Sequence, residues 1–299
     1  HQEIAQRAGA LRQTQDEIFL QPGEALGAFL DLGQPLEIEV AARADADHPP
    51  PGETALRRKV PFFYMTAHYD SIRVRRMNSV ADYLAYDDAV TGKRPAVLVI
   101  HAREGMTENT KHNVEMYAKF GYVAFAADIF GYGQGLLPKD VPEMQAQTTM
   151  YNKDRTLLKA RTQAGYDVLA KHPLVDASKI AQAGYCFGGS TAVEFGSTGV
   201  PLAATLTFHG SFANHQPGWA KSLKGKMLIM HGAEDAGYPL TAVAVVIDEL
   251  RAAKVDFQYE VYSGANHGFS VPKSKPDQRA DVQSRAEAGR YLKEAFSGQ

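Results

Sequence analysis

The sequence predicts an α/β fold: a mostly parallel central sheet with helices on both faces, preceded by an N-terminal extension over residues 1–66. Three observations carry this. From Arg94 onward, short apolar runs alternate with amphipathic stretches, the pattern of buried strands and their crossover helices. No internal repeat, heptad array or low-complexity tract is present, which excludes a solenoid or coiled coil. One cysteine among 299 residues rules out an internal disulfide and a thiolate zinc cage, so the fold must rest on its own hydrophobic core.

The elements follow in order. Ile4 to Phe19 has scattered apolar positions and reads at best as a polar helix, and Ala42 to Gly52 carries a proline cluster that suits a linker or surface loop. For residues 1–66 a lid, a dimerisation arm and a disordered leader all remain open. Ser71 to Tyr86 suggests two strands with a turn near Asn78, and Arg73, Arg75 and Arg76 fit a charged outer edge there. Within a main domain of residues 67–299, the expected strands are Ala96 to Ile100, Tyr122 to Ala127, Ile180 to Tyr185, Ala203 to His209, Lys226 to Met230 and Phe257 to Tyr262. Expected helices run from Thr107 to Phe120 with Gly121 as the stop, Asp154 to Ala170, Leu240 to Ala253 and Asp281 to Phe296. Leu136 to Asn152 reads as a segment bordering a pocket, with Met144, Met150 and Tyr151 as an apolar wall.

Charge narrows the partners. Thirty-two basic against 34 acidic side chains give −2, without the basic excess of a nucleic-acid binder. No run reaches the roughly 18–20 apolar residues of a membrane span, so a soluble protein is expected. The chain starts at His1 rather than Met, which leaves the compartment open, the cytoplasm slightly favoured over a periplasmic or secreted location. Oligomeric state is not readable.

Cys186 lies in Gly184-Tyr185-Cys186-Phe187-Gly188, directly after an apolar strand and before a helix-compatible segment. A strand turning sharply into a helix leaves no room for side chains on either flank, so small residues two before and two after hold the central one outward. The helix N-terminus there favours an anionic sulfur. Two later strand ends supply a base and its orienting acid: His231-Gly232-Ala233-Glu234-Asp235 and Ser263-Gly264-Ala265-Asn266-His267-Gly268-Phe269. The order Cys, Asp, His is that of the α/β-hydrolase nucleophile elbow with sulfur in place of oxygen. Taken singly, Asp235 also reads as a loop acid or a cap near Leu240, with Glu234 as its rival. His101, His209 and His231 also end strands and read as structural.

Gly184 to Gly189 (GYCFGG), His231-Gly232-x-x-Asp235 and Asn266-His267-Gly268-Phe269 resemble the dienelactone hydrolase family, and the resemblance extends over roughly Ser71 to Phe296. It implies an α/β-hydrolase with a Cys186–His267–Asp235 triad that cleaves esters and lactones. Two departures stand out. The family's His-Glu-x-x-Gly is here His101-Ala102-Arg103-Glu104-Gly105, so alanine holds the carboxylate position; Glu104 either substitutes for it or, as favoured, faces solvent. The arginines that grip a substrate carboxylate in muconolactone-type members are matched by Tyr132 and Val271, which argues against dienelactone itself.

The expected reaction is therefore hydrolysis of a small-molecule ester or lactone through a thioester acyl-enzyme, with the oxyanion met by the backbone N–H of Phe187 and of Arg103. Glu104 and Tyr132 are accessory candidates. A non-catalytic ligand- or partner-binding protein is the alternative. No cofactor is expected, because Gly131-Tyr132-Gly133-Gln134-Gly135 fails the dinucleotide pattern at Leu136 and is followed by Pro138. No metal is expected either, since no tight ligand spacing is present.

Overall fold

Each apolar run expected as a strand, from Ala96 onward, falls within or overlaps a strand of one sheet, which has seven strands among the described residues. The computed structural model describes residues 83–298 apart from 88, 132–136 and 213–214. The strands are β1 (Tyr83–Ala85), β2 (Arg94–Ile100), β3 (Val123–Ala127), β4 (Val175–Tyr185), β5 (Ala204–Phe208), β6 (Lys226–Gly232) and β7 (Phe257–Tyr262). Their spatial order is β1-β3-β2-β4-β5-β6-β7. Only β1 is antiparallel, pairing Leu84 with Phe125; every other pair is parallel. The extension, the polar helix, the turn near Asn78 and the arginines of residues 73–76 lie outside the described residues.

The helices are α1 (Glu108–Lys119), α2 (Val141–Lys153), α3 (Arg155–Lys171), α4 (Phe187–Gly196), α5 (Leu240–Ala252) and α6 (Lys275–Ser297). Strand alternation sorts them onto two faces. Val97, Val99, Ala181, Ala183, Leu206, Leu228 and Met230 point to a layer with Val114 and Tyr117 of α1 and Tyr291 and Leu292 of α6. On the opposite face, Leu98, Ile100, Phe125 and Ile180 pack with Leu158 and Leu169 of α3 and Phe195 of α4. Met227 and Ile229 meet Val243, Val246 and Leu250 of α5. Because β2 to β7 run parallel, their carboxyl ends share one edge of the sheet, and Cys186, His209, Asp235 and His267 all follow strands that end there.

Two helices depart from the expected boundaries. The segment read as a pocket-bordering stretch contains α2, whose side chains are mostly solvated, Tyr151 being its one buried residue, so it has no apolar stripe to read. Asp140 caps it, accepting from the Glu143 N–H at 2.9 Å, while Pro142 sits in the first turn, where no N–H is needed. Helix α6 starts six residues earlier than expected for the same reason: Ser274 caps it and Pro276 falls in the first turn. Tyr151 is fully buried beneath the sheet edge, with its ring on Phe130, and Met150 is exposed, so the proposed apolar wall is reduced to Tyr151 and a partly buried Met144.

Candidate active site

The turn after β4 is as tight as the glycines require. A Cβ on Gly184 would stand 2.0 Å from the Gly188 carbonyl oxygen, and one on Gly188 would stand 2.2 Å from the Ile100 carbonyl oxygen. Neither contact is tolerable. Cys186 itself adopts φ 53°, ψ −114°, a left-handed conformation that costs a non-glycine residue free energy and persists here because the strand, helix and neighbouring β5 fix it; its N–H donates to the Phe208 carbonyl. It precedes the first turn of α4, with Phe187 resting on an aromatic floor of His101, Phe130 and Tyr151.

Cys186, His267 and Asp235 come together in one relay. His267 Nε2 lies 3.1 Å from Cys186 Sγ, and its Nδ1–H donates to Asp235 Oδ2 at 2.8 Å. Asp235 is buried, and its other oxygen accepts the N–H groups of Gly237 (2.9 Å) and Tyr238 (3.1 Å). It is thus neither a solvated loop acid nor the cap of α5, which is Pro239, and the rival Glu234 is exposed. The bond to Asp235, then that to the Cys186 sulfur, raises the imidazole pKa of His267 to about 10 against the opposing effect of burial. Burial alone would push Asp235 up; the His267 bond and charge outweigh it and hold the carboxyl below its ordinary value.

The other predicted residues divide. Phe187 is the first residue of α4, where its N–H has no acceptor within the helix. Arg103 and Glu104 lie in the turn after β2, half-exposed and paired with each other at 3.3 Å, so the solvent-facing reading of Glu104 agrees with the geometry. Ala102, which the resemblance matches to a glutamate, packs against the core. Val271 is half-exposed just beyond Ser270, and Tyr132 lies outside the described residues.

His101 and His231 are structural, as expected. His101 Nδ1–H donates to the Ala102 carbonyl while Nε2 accepts the Ile129 N–H, and His231 bonds the Tyr238 carbonyl. His209 is not confined to that role. Its ring stands edge-on to His267 with centroids 5.2 Å apart, its Nε2 meets Ser270 Oγ at 2.7 Å, and its Nδ1 is buried without a hydrogen-bond partner among the described residues. Burial, then the neighbouring His267, lowers its pKa to about 3, so the ring stays neutral. The signal was topological: a residue ending the strand next to β4 must stand beside whatever β4 presents.

A parallel sheet in this order, with a strained residue held out between β4 and α4, defines the α/β-hydrolase class. The model of the dienelactone hydrolase family matches residues 80–297, and the chain belongs to that family. It is a hydrolase of the carboxylic-ester and lactone type, and the non-catalytic alternative falls away. A Synechocystis sp. protein named "Putative carboxymethylenebutenolidase" is 28% identical over 234 residues, covering 72% of this chain and 89% of that one. The carboxymethylenebutenolidase homolog of Rattus norvegicus is 25% identical, covering 73% and 86%. Among solved structures, the dienelactone hydrolase-like promiscuous phosphotriesterase P91 from metagenomic libraries superposes with a TM-score of 0.69 at 29% identity, covering 81% of this chain and 98% of that one. No helix among the described residues is long and apolar enough to cross a membrane.

Proposed function

We propose that the chain cleaves an uncharged carboxylic ester or lactone by two-step acyl transfer, with Cys186 as nucleophile, His267 as proton shuttle and Asp235 fixing the histidine's tautomer. The observation that supports this best is the unbroken relay from Sγ to Nε2 (3.1 Å) and from Nδ1 to Oδ2 (2.8 Å). The proton shared between Sγ and Nε2 stays on His267 as sulfur bonds the carbonyl carbon. The resulting oxyanion is met by the N–H groups of Phe187 and Arg103, a pair of donors of which each is typically worth about 2.7–4 kcal/mol. Collapse expels the alcohol, which takes its proton from His267. Water then attacks the thioester with His267 as base, releasing the acid and restoring the proton shared between Nε2 and the freed sulfur.

An uncharged acyl group is favoured because the family resemblance matches Val271, which is half-exposed, to a carboxylate-gripping arginine, and the Arg103 guanidinium is engaged by Glu104. Residues 1–66 are proposed as an extension separate from the hydrolase domain of residues 67–299.

The test is hydrolysis of p-nitrophenyl acyl esters of increasing chain length by the wild type and by Cys186→Ala. Loss of at least about 10³-fold in kcat/KM is expected, since removing a triad member forfeits most of the catalysis; unchanged turnover would refute the mechanism. A phosphotriester assayed on the same pair extends the test to the activity carried in the name of the P91 relative.

A further inference from the structure

We propose that Cys186, His209 and His267 also form a binding site for one soft divalent transition-metal ion of the zinc class, and that its occupancy silences the enzyme. The silencing half rests on the reading of Cys186 and His267 given above.

Cys186 Sγ and one ring nitrogen from each histidine all lie within 4.8 Å of one another, and Sγ and His267 Nε2 are already 3.1 Å apart. Three donors so placed leave a point within about 2.5 Å of each, a few tenths of an ångström from the ~2.0–2.3 Å that zinc takes from imidazole and thiolate. A small side-chain adjustment closes that gap. The donor types match as well: a sulfur and two imidazoles suit zinc and its neighbours better than the oxygen-seeking magnesium or calcium.

Both imidazoles are oriented from behind, as metal-binding histidines are. Asp235 holds His267 Nδ1 at 2.8 Å, which turns Nε2 toward the sulfur. Ser270 Oγ meets His209 Nε2 at 2.7 Å, which leaves Nδ1 as the donor. That Nδ1 is buried and has no hydrogen-bond partner among the described residues, an arrangement that costs free energy and that a Lewis acid would relieve. It is an independent sign of a ligand, because the acyl-transfer chemistry makes no use of His209. Access follows from the burial: His209 is enclosed, Cys186 is partly covered and His267 is exposed, so an ion enters from the His267 side and keeps an open position for water there.

Binding balances without any redox change. The proton held between Sγ and Nε2 leaves to solvent, one sulfur–metal and two nitrogen–metal bonds form, and the hydrogen bond between Cys186 and His267 is lost. The sulfur lone pair and the Nε2 lone pair are then both committed, so neither attack on a carbonyl nor proton transfer can proceed. The three ligands come from the ends of different elements, which is why their spacing along the chain shows no metal motif.

The experiment titrates the metal-free full chain with Co²⁺, as a spectroscopic stand-in for Zn²⁺, and in parallel follows ester hydrolysis against Zn²⁺ buffered by a chelator. The expected result is a thiolate-to-cobalt charge-transfer band saturating at one ion per chain, together with inhibition by Zn²⁺ that EDTA reverses. His209→Gln and His209→Asn, each compared with its own metal-free activity, should weaken both effects by at least about tenfold. Thermal melts of both variants show whether they remain folded, and Ser270→Ala, which frees the His209 ring, should weaken binding in a chain whose ligands are intact. Absence of the band, or equal affinity in wild type and both folded His209 variants, would overturn the site. A full band with undiminished hydrolysis would uphold the site and overturn Cys186 as nucleophile instead.

Discussion

At Cys186 the backbone is held at φ 53°, and the imidazole beside it keeps its proton up to about pH 10. That residue-scale pairing sets the pH behaviour. The His267 pKa is raised above its unfolded value of about 6.5, so its contribution to stability is complete below that value and is lost as the pH rises through about 10. In the proposed mechanism the same deprotonation removes the acid that protonates the leaving alcohol, so kcat/KM should fall along an alkaline limb near pH 10. Asp235→Asn should lower kcat by roughly 10³–10⁴-fold, because the wrong tautomer is then presented to sulfur, and should move that limb to lower pH. A pH–rate profile of the two proteins measures both effects; an unmoved limb would remove Asp235 from the orienting role proposed for it. Cys186 was legible from its bracketing glycines, and Asp235 and His267 from their places after strands. His209 was not, because its significance comes from β5 lying beside β4, a neighbour relation that no stretch of sequence contains.

At the scale of elements, the site depends on how closely α4 approaches β2. Gly188→Ala places a methyl group against the Ile100 and His101 carbonyl oxygens, which are backbone and cannot swing aside. We expect a loss of about 1–3 kcal/mol in urea unfolding, and a fall in kcat larger than in ground-state affinity, since the Phe187 N–H moves with the helix. An alanine tolerated without either effect would mean that the glycine bracket is not what positions the turn. The strands were readable because a buried parallel strand is a run of apolar residues, and β3, buried throughout, begins one residue after the expected start and ends at the expected Ala127. Helix α2 was not readable, because Tyr151 is its one buried side chain and periodicity reports burial rather than helicity; the signals that did mark it were local, the Asp140 cap and Pro142 behind it. The start of α6 was hidden behind Pro276 in the same way.

For the whole molecule, several buried histidines make acid the weak side. His209 and His101 are both held neutral, mainly by burial, the former with a pKa of about 3. The unfolded chain therefore binds more protons than the folded one between about pH 6.5 and pH 3, and stability falls as the pH drops through that window. Thermal melts should show this slope, and His209→Asn should flatten it; an identical slope in the variant would assign the acid sensitivity to other groups. The lone cysteine also makes the proposed nucleophile directly measurable, because a covalent thioester has a single place to form. The measurement is intact-protein mass spectrometry of an acid-quenched reaction with a slowly hydrolysed p-nitrophenyl ester, followed by peptide mapping. One acyl group is expected on the peptide that contains Cys186, removable by hydroxylamine and absent from Cys186→Ala. An acyl group on another residue, or full turnover by Cys186→Ala, would contradict the proposed mechanism.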